Sequence, residues 1–393
     1  MNRKSIKGLS LQELQEFVES LGEKKYRAAQ LFSWMYAKGA TSFGEMTDIS
    51  KEFREVLVSC ARIEDTDLVS KSVSPTDGTT KFLFRLNDGL MIESVLIPAG
   101  DPDTPDERDE EIEELPTPSK RLTLCVSTQV GCPLDCKFCA TGTMGFQRNL
   151  TAGEIVDQVL QAQRSADRRI TNLVYMGMGE PMLNYDEVMK SVDLITDDRS
   201  LNIGARHITI STAGYADKIR QMADEGRKTK LALSLHSLDT AKRTQLMPIT
   251  KKYSVEDLVE VLEYYYRKTR RRPTFEYIPF EGFNDTKEDV RRFVKLSKRI
   301  PCKVNIIPFH SISFTGITGF GATLRPTPRD RIERFAQELR DANITVMVRS
   351  SSGEDIEAAC GQLAVQEKQA RSSSAAKKQG GRAMEAATGT ASL

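Results

Sequence analysis

The chain has 393 residues, 39% of them apolar and 28% charged, with a formal net charge of +1. That profile fits an ordinary globular protein with room for one large domain and a smaller one. It excludes a membrane protein, since apolar runs such as IIPF at 306–309 are strand-length at most, and the opening MNRKSIKGLSLQELQ has no signal-peptide core.

A cytoplasmic location follows, where thiols stay reduced, so the seven cysteines read as ligands and nucleophiles rather than as a disulfide frame. From the N-terminus, Ser10 and Glu13 have capping-box spacing ahead of an apolar period at Leu14, Phe17, Val18 and Leu21. A second helix is expected through YRAAQLFSWMYAKG, stopped by Gly39. Lys24, Lys25 and Arg27 give this helical unit, residues 1–62, some basic surface. Within a connector at 63–98, TTKFLFRLNDGLMIESVLIP alternates as a β-hairpin turning at NDG. An acidic insertion fills 99–119, with nine acidic residues and one basic between 101 and 114, and is expected to be flexible.

From 120 to 364 the rhythm is strand then helix. Strands are expected near 122–128, 172–177, 207–212, 230–236, 274–280 and 303–309, with a last one over 344–351. Helices are expected after the Thr151–Glu154 capping box and over 184–197, 215–225, 254–269, 284–299 and 327–342, the last opening on TPRD with Thr327 as cap. Six βα units predict parallel strands with right-handed crossovers, an α/β fold closing into a partial (β/α)6 barrel. Function then belongs on the loops leaving the strand C-termini. The Ala/Ser/Gly/Gln-rich tail, 365–393, is expected to be disordered.

Just past the first barrel strand, GCPLDCKFCATG at 131–142 carries Cys132, Cys136 and Cys139. Soft thiolates select iron–sulfur clusters or zinc. A structural zinc site needs a fourth Cys or His, and the nearby sequence offers none. A cubane held by three thiolates instead keeps one iron open to a chelating ligand. The C-x3-C-x2-C run, with Phe138 before the last cysteine, resembles the signature of the radical S-adenosylmethionine (SAM) enzymes. The resemblance implies a [4Fe-4S] cluster whose open iron is chelated by SAM. GMGEP at 177–181 resembles that family's segment for the SAM amino group, with Gly179 allowing close backbone approach and Glu180 as acceptor. STAG (211–214) and SLHS (234–237) end the third and fourth strands. Ser211, Ser234, Leu235 and His236 are candidate SAM contacts there; capping of the following helices is the rival reading of the polar ones.

Longer blocks narrow the likeness. LCVSTQVGC, GFQRNLTAGEIVDQV, NLVYMGMGEPMLNYDEV, ALSLHS, EYIPFEGFND and DIEAACGQLA resemble the RNA adenine methyltransferases that act on carbon 2. Taken alone, Cys125 and Cys360 fit buried small hydrophobes better than nucleophiles. The resemblance implies a relay that uses two SAM molecules. Cys360 becomes S-methylcysteine, a 5′-deoxyadenosyl radical takes hydrogen from its methyl group, the methylene adds to adenine, and Cys125 releases the product through a transient disulfide with Cys360. Glu93, in GLMIESVLIP, falls at the family's proton acceptor, where spacing alone would read an exposed strand carboxylate. As a methyl acceptor, Cys360 is expected to have a lowered pKa.

One position departs from the family. Many relatives carry an asparagine that contacts SAM in an I-P-x-N segment; this chain reads IIPFH, with His310 there, and a neutral imidazole also donates and accepts. Cys60 and Cys302 match no motif and read as packing residues. The partners implied are 23S rRNA, tRNA beside the anticodon, and an electron donor such as flavodoxin or ferredoxin, with a monomeric chain, no membrane, and residues 1–62 helping to hold RNA. RKTRRR at 267–272, Lys24, Lys25 and Arg27 are the candidate RNA contacts, against the plainer reading of a solvated face. The rivals are methylation at carbon 8, a radical SAM enzyme of a small molecule, and a non-catalytic iron–sulfur or zinc RNA-binding protein.

Overall fold

A computed structural model describes residues 3–63, 65–98 and 121–365. The acidic insertion and the tail lie outside them. At the N-terminus, β1 (Lys4–Ser5) pairs in parallel with β2 (Ala61–Arg62) around α1 (Leu11–Ser20), α2 (Tyr26–Tyr36) and α3 (Lys51–Cys60). The Ser10 capping box forms: Glu13 N donates to Ser10 Oγ at 3.2 Å and Ser10 N to Glu13 Oε2 at 2.6 Å. The periodic residues Leu14, Phe17 and Val18 are buried.

β3 (Thr66–Val73), β4 (Thr80–Leu86) and β5 (Met91–Pro98) follow as an antiparallel run. The hairpin expected about NDG is β4–β5. β3 escapes a pattern reading because it is an edge strand whose residues are mostly exposed. Next come β6 (Leu122–Cys125), β7 (Gln129–Gly131), α4 (Ala140–Thr143), β8 (Phe146–Asn149), α5 (Ala152–Ser165), β9 (Asn172–Tyr175) and α6 (Tyr185–Thr196). The alternation continues through β10 (Ile208–Thr212), α7 (Ala216–Asp224), β11 (Lys230–Ser234), α8 (Thr240–Leu246), α9 (Val255–Thr269), β12 (Thr274–Tyr277) and α10 (Lys287–Ser297). It closes with β13 (Lys303–Ile306), α11 (Phe320–Thr323), α12 (Arg329–Asp341) and β14 (Thr345–Val348).

One ten-stranded sheet runs β14-β13-β12-β11-β10-β9-β6-β5-β4-β3. The strands from β6 to β14 in it are mutually parallel, and β5, β4 and β3 extend it antiparallel. Each crossover moves to the adjacent strand, as in a β/α barrel, and the order leaves β3 and β14 at opposite edges, so the barrel is partial. The connector at 63–98 therefore belongs to the barrel's own sheet. The main core lies between sheet and helices, and a second apolar cluster (Phe138, Ala213, Ile278, Phe280, Ile307 and Phe309 among its members) fills the mouth at the strand C-termini.

That second cluster explains one systematic difference from the sequence reading. The expected strands 274–280 and 303–309 stop at Tyr277 and Ile306. Ile278, Phe280, Ile307 and Phe309 are apolar because they pack in the mouth, so a hydrophobicity pattern cannot see the strand end. Thr327 does not cap α12 either: the N-cap is Pro328, and Thr327 Oγ1 donates to Asp285 Oδ2 at 3.1 Å. Among the described residues no helix is long and apolar enough to cross a membrane.

Candidate active site at the strand C-termini

The cysteine loop leaves β7 and returns on β8, and these two short antiparallel strands clamp its base. Gly131 has φ +73°, and a Cβ there would stand 1.8 Å from the Gly145 carbonyl oxygen, so no other residue closes the base this way. Inside the loop, Cys132 N donates to Gly145 O at 2.9 Å and Cys139 N to Cys136 O at 3.1 Å. Burial pushes all three thiols up, Cys132 to about 12, and Cys139 raises Cys132 and Cys136 further. Clustered buried thiols of this kind ionise only against strong positive charge, which a metal centre supplies.

The donor set fits a cluster. Three soft thiols with no fourth Cys or His in the loop suit a cubane, which takes each thiolate on a different iron, better than a four-coordinate zinc. A second positive charge is built in. Arg243 is 0% exposed, and its guanidinium donates to Leu235 O, Thr250 Oγ1, Ala213 O and Ser234 O at 3.0, 2.7, 2.5 and 3.0 Å. All four acceptors are uncharged, and the field of Arg243 reaches Cys136 and opposes its rise.

Around this loop the other mouth residues are tightly tied. Gly179 has φ +102°, and its Cβ would stand 2.5 Å from Gln129 Cβ at the start of β7, so packing by itself already demands glycine there. Glu180 is buried; its Oε1 accepts from Met182 N at 3.0 Å and its Oε2 from Ala213 N at 2.8 Å, while burial raises its pKa. Ser211 Oγ and Ser234 Oγ lie 3.5 Å apart. The capping reading fails, because α7 is capped by Tyr215 and α8 by Asp239. His236 adopts φ +54°, its Nδ1 accepts from Ile278 N at 3.1 Å, and burial plus Arg243 push its pKa down to about 3, so it stays neutral. Its ring meets Phe138 edge-on at 4.6 Å. Leu235 N donates to Glu276 O at 3.0 Å and its carbonyl serves Arg243, so both its backbone groups are committed. His310 is buried with Nδ1 3.2 Å from Glu354 Oε1, in the segment leading to Cys360.

That C-terminal segment is zipped to the cysteine loop: Ala140 N donates to Gly361 O at 2.7 Å and Thr141 Oγ1 to Leu363 O at 2.6 Å. Cys360 is thereby brought close enough to Cys125, at the end of β6, for each thiol's environment to register the other or their shared neighbour, Arg349. The expectation of a lowered pKa for Cys360 is corrected: burial pushes it up, and Arg349, hydrogen-bonded to it, only opposes the rise. Cys125 is pushed up to about 12 by burial and by Cys360. Glu93, on β5, is 0% exposed rather than a surface carboxylate, and burial raises it. Neither of its oxygens has a hydrogen bond of good geometry, and Lys81 Nζ stands 3.6 Å away.

Arg243, Arg349 and Lys81 are the charges that sequence reading missed. Arg243 acts on Cys136, far away in sequence, whereas Lys81 and Arg349 act on Glu93 and Cys360, nearer in the chain; a basic side chain just after an apolar strand, as in VMVRSS, was the one available hint for Arg349. The RKTRRR run spans the last turn of α9 and the link to β12, at the N-terminal ends of the parallel strands, so it does not adjoin the mouth. Arg27 is tied within its own unit, to Gln30 Oε1 and Asp48 O at 2.9 and 3.1 Å.

Comparison with known proteins agrees with this layout. A family profile described as "Radical SAM superfamily" matches residues 126–296, and one described as "Ribosomal RNA large subunit methyltransferase N-terminal domain" matches residues 4–63. A "Probable dual-specificity RNA methyltransferase RlmN" of Cytophaga hutchinsonii is 42% identical over 371 residues, 93% of this chain and 94% of its own. The chain belongs to the RlmN family. An RlmN of the same description from Thermotoga maritima is 42% identical over 369 residues, 94% of this chain and 100% of its own. The crystal structure of a radical SAM methyltransferase from Sphaerobacter thermophilus superposes with a TM-score of 0.81 at 38% identity, covering 92% of this chain and 99% of that one. RlmN family membership makes the chain a radical SAM methyltransferase.

Proposed function

We propose that this RlmN-family enzyme methylates carbon 2 of adenine in 23S rRNA and in tRNA beside the anticodon, through a two-cysteine relay that consumes two SAM molecules. Cys132, Cys136 and Cys139 would hold a [4Fe-4S] cluster, which would supply one-electron chemistry: the electron that cleaves SAM and an acceptor for the electron that leaves the base adduct. Glu180, Ser211, Ser234 and His236, with Gly179, Leu235 and the His310 imidazole, line the SAM side of the mouth. A one-electron donor such as flavodoxin or ferredoxin serves a single chain, and the helical unit at 1–62 helps to hold RNA.

The chain's own chemistry falls to three side chains. Cys360 Sγ, as thiolate, takes a methyl group from the first SAM by displacement. After hydrogen abstraction the methylene carbon bonds to the base, and Glu93 accepts the ring proton. Cys125 Sγ then attacks Cys360 Sγ; the S–S bond forms, the S–CH2 bond breaks, and the electron pair left on carbon takes a proton to become the product methyl group. What supports this reading is that Cys125 and Cys360, both free thiols, lie within electrostatic reach beside the cysteine loop, with Arg349 acting on both.

Intact-mass analysis of anaerobic reactions tests it. Cys125→Ala protein is expected to accumulate a covalent protein–RNA adduct, while Cys360→Ala protein cleaves SAM but methylates no RNA. Free methylated RNA at wild-type yield from either variant contradicts the relay, and 8-methyladenosine in digests of wild-type product contradicts the regiochemistry.

A further inference from the structure

Lys81 is a buried lysine on β4, and burying an ammonium is costly unless it is matched. Its Nζ makes two contacts: 3.6 Å to Glu93 Oε1 on the neighbouring strand, and a donated hydrogen bond of 3.3 Å to the carbonyl of Glu357, in the segment ending at Cys360. The turn just before β4 grips the same segment. Asp77 Oδ2 accepts from Gly353 N at 2.9 Å, and Ser74 Oγ donates to Asp355 Oδ2 at 3.0 Å. Gly353 has φ +71°, and a Cβ there would stand 2.7 Å from Thr79 Cγ2, so the grip needs a glycine.

We propose that Lys81 is a positioning residue for proton transfer, its ammonium fixing the Glu93 carboxylate in register with the segment that carries Cys360. The inference rests on the reading that Glu93 is the proton acceptor. In that step one C–H bond of the base adduct breaks, its electron pair stays in the ring, and an O–H bond forms on Glu93. The charged groups facing Glu93 are Lys81, from β4, and Glu357, from the C-terminal segment. Ser127, whose Oγ donates to Glu93 O at 2.6 Å, and Met178, whose sulfur accepts from Glu93 N at 3.4 Å, are uncharged. Burial raises Glu93 and Glu357 raises it further, while Lys81 and then the Ala364 backbone N–H lower it, so Lys81 widens the range of pH over which the acceptor is ionised.

The test uses anaerobically reconstituted holoenzyme with an RNA oligonucleotide. Cys360 methylation is followed by intact mass and base methylation by nucleoside analysis, each as a function of pH. For Lys81→Gln and Lys81→Met, the acidic limb of base methylation is expected to move to higher pH. Base methylation then falls by roughly tenfold per unit of displacement at pH below the limb, and recovers at high pH, with Cys360 methylation spared. Lys81→Arg keeps the charge and is expected to restore the limb's position. A uniform loss at every pH, with the limb unmoved, overturns the proposal, because a lysine that only packs the segment would do that. Glu93→Gln separates the two readings: if it methylates the base normally, the acceptor assignment itself fails. If Glu93→Gln is inactive while the Lys81 variants keep the wild-type limb, the Lys81 inference alone fails. If Lys81→Met does not fold, the Lys81→Gln and Lys81→Arg profiles decide between these outcomes.

Discussion

In the proposed relay, Cys360 must take a methyl group as thiolate, against burial that raises its thiol pKa and with Arg349 opposing the rise. Removing that cation therefore leaves less thiolate at neutral pH. For Arg349→Met, single-turnover Cys360 methylation followed by intact mass is expected to slow by roughly tenfold for each unit by which the thiol pKa rises. Raising the pH is expected to restore it. An unchanged rate at neutral pH would show that the guanidinium does not control the thiol. At this scale the sequence was legible wherever the chemistry is local. The thiols of the cysteine loop share one short loop, and Cys125, Cys360 and Glu93 sit in blocks long enough to resemble a family. Arg243 was illegible because a buried charge declares its partner only once distant strands are packed together, and Lys81 and Arg349 because a hydrophobicity pattern does not say which charges the fold turns inward. The lowered pKa expected of Cys360 failed for the same reason: reactivity argues for a thiolate, but the fold first buries the thiol.

Among the elements, the short β7–β8 pair sets the shape of the cysteine loop, and its base depends on Gly131. Gly131→Ala forces a Cβ into the Gly145 carbonyl, in a backbone conformation that itself costs about 1–3 kcal/mol for a side-chain-bearing residue. The expected outcome is a folded protein that reconstitutes with little iron and little visible absorbance, whereas a Gly142→Ala protein, with its nearest clash at 3.1 Å, retains more. Full iron content in Gly131→Ala would contradict this account of the loop. The strand–helix alternation was readable because each βα unit repeats one amphipathic pattern. Strand ends were not readable, since Ile278, Phe280, Ile307 and Phe309 continue the apolar run into the mouth, where they pack with Phe138 beside the cysteines. The edge strand β3 lacked any pattern because little of it is buried.

Across the whole molecule, the helical unit is fastened to the barrel by one buried ion pair. Lys7 Nζ and Asp157 Oδ1 lie 2.5 Å apart with both side chains at 0% exposure. The other oxygen of Asp157 accepts from Asp65 N, Thr66 N and Thr66 Oγ1 at 3.0, 2.8 and 3.0 Å. Asp157→Ala strands a buried ammonium and several donors, so unfolding free energy is expected to fall by about 3–5 kcal/mol, as read by denaturant titration. A loss below about 1 kcal/mol, the range of an exposed pair, would contradict a buried fastening. The same fastening gives the two parts a fixed relation, which a methyltransferase needs if one part holds RNA while the other presents the reactive mouth. Net charge said little about this, and the RKTRRR run lies at the strand N-termini, at the end of the barrel opposite the mouth.

The relay itself is tested most directly by isotope. With SAM carrying a fully deuterated methyl group, a methyl that passes through Cys360 loses one deuterium to 5′-deoxyadenosine and gains a proton at release. The account predicts product adenine with two deuteriums in its methyl group and one deuterium in 5′-deoxyadenosine. A product that keeps all three deuteriums would mean that the methyl group moves to the base intact, and would contradict the account.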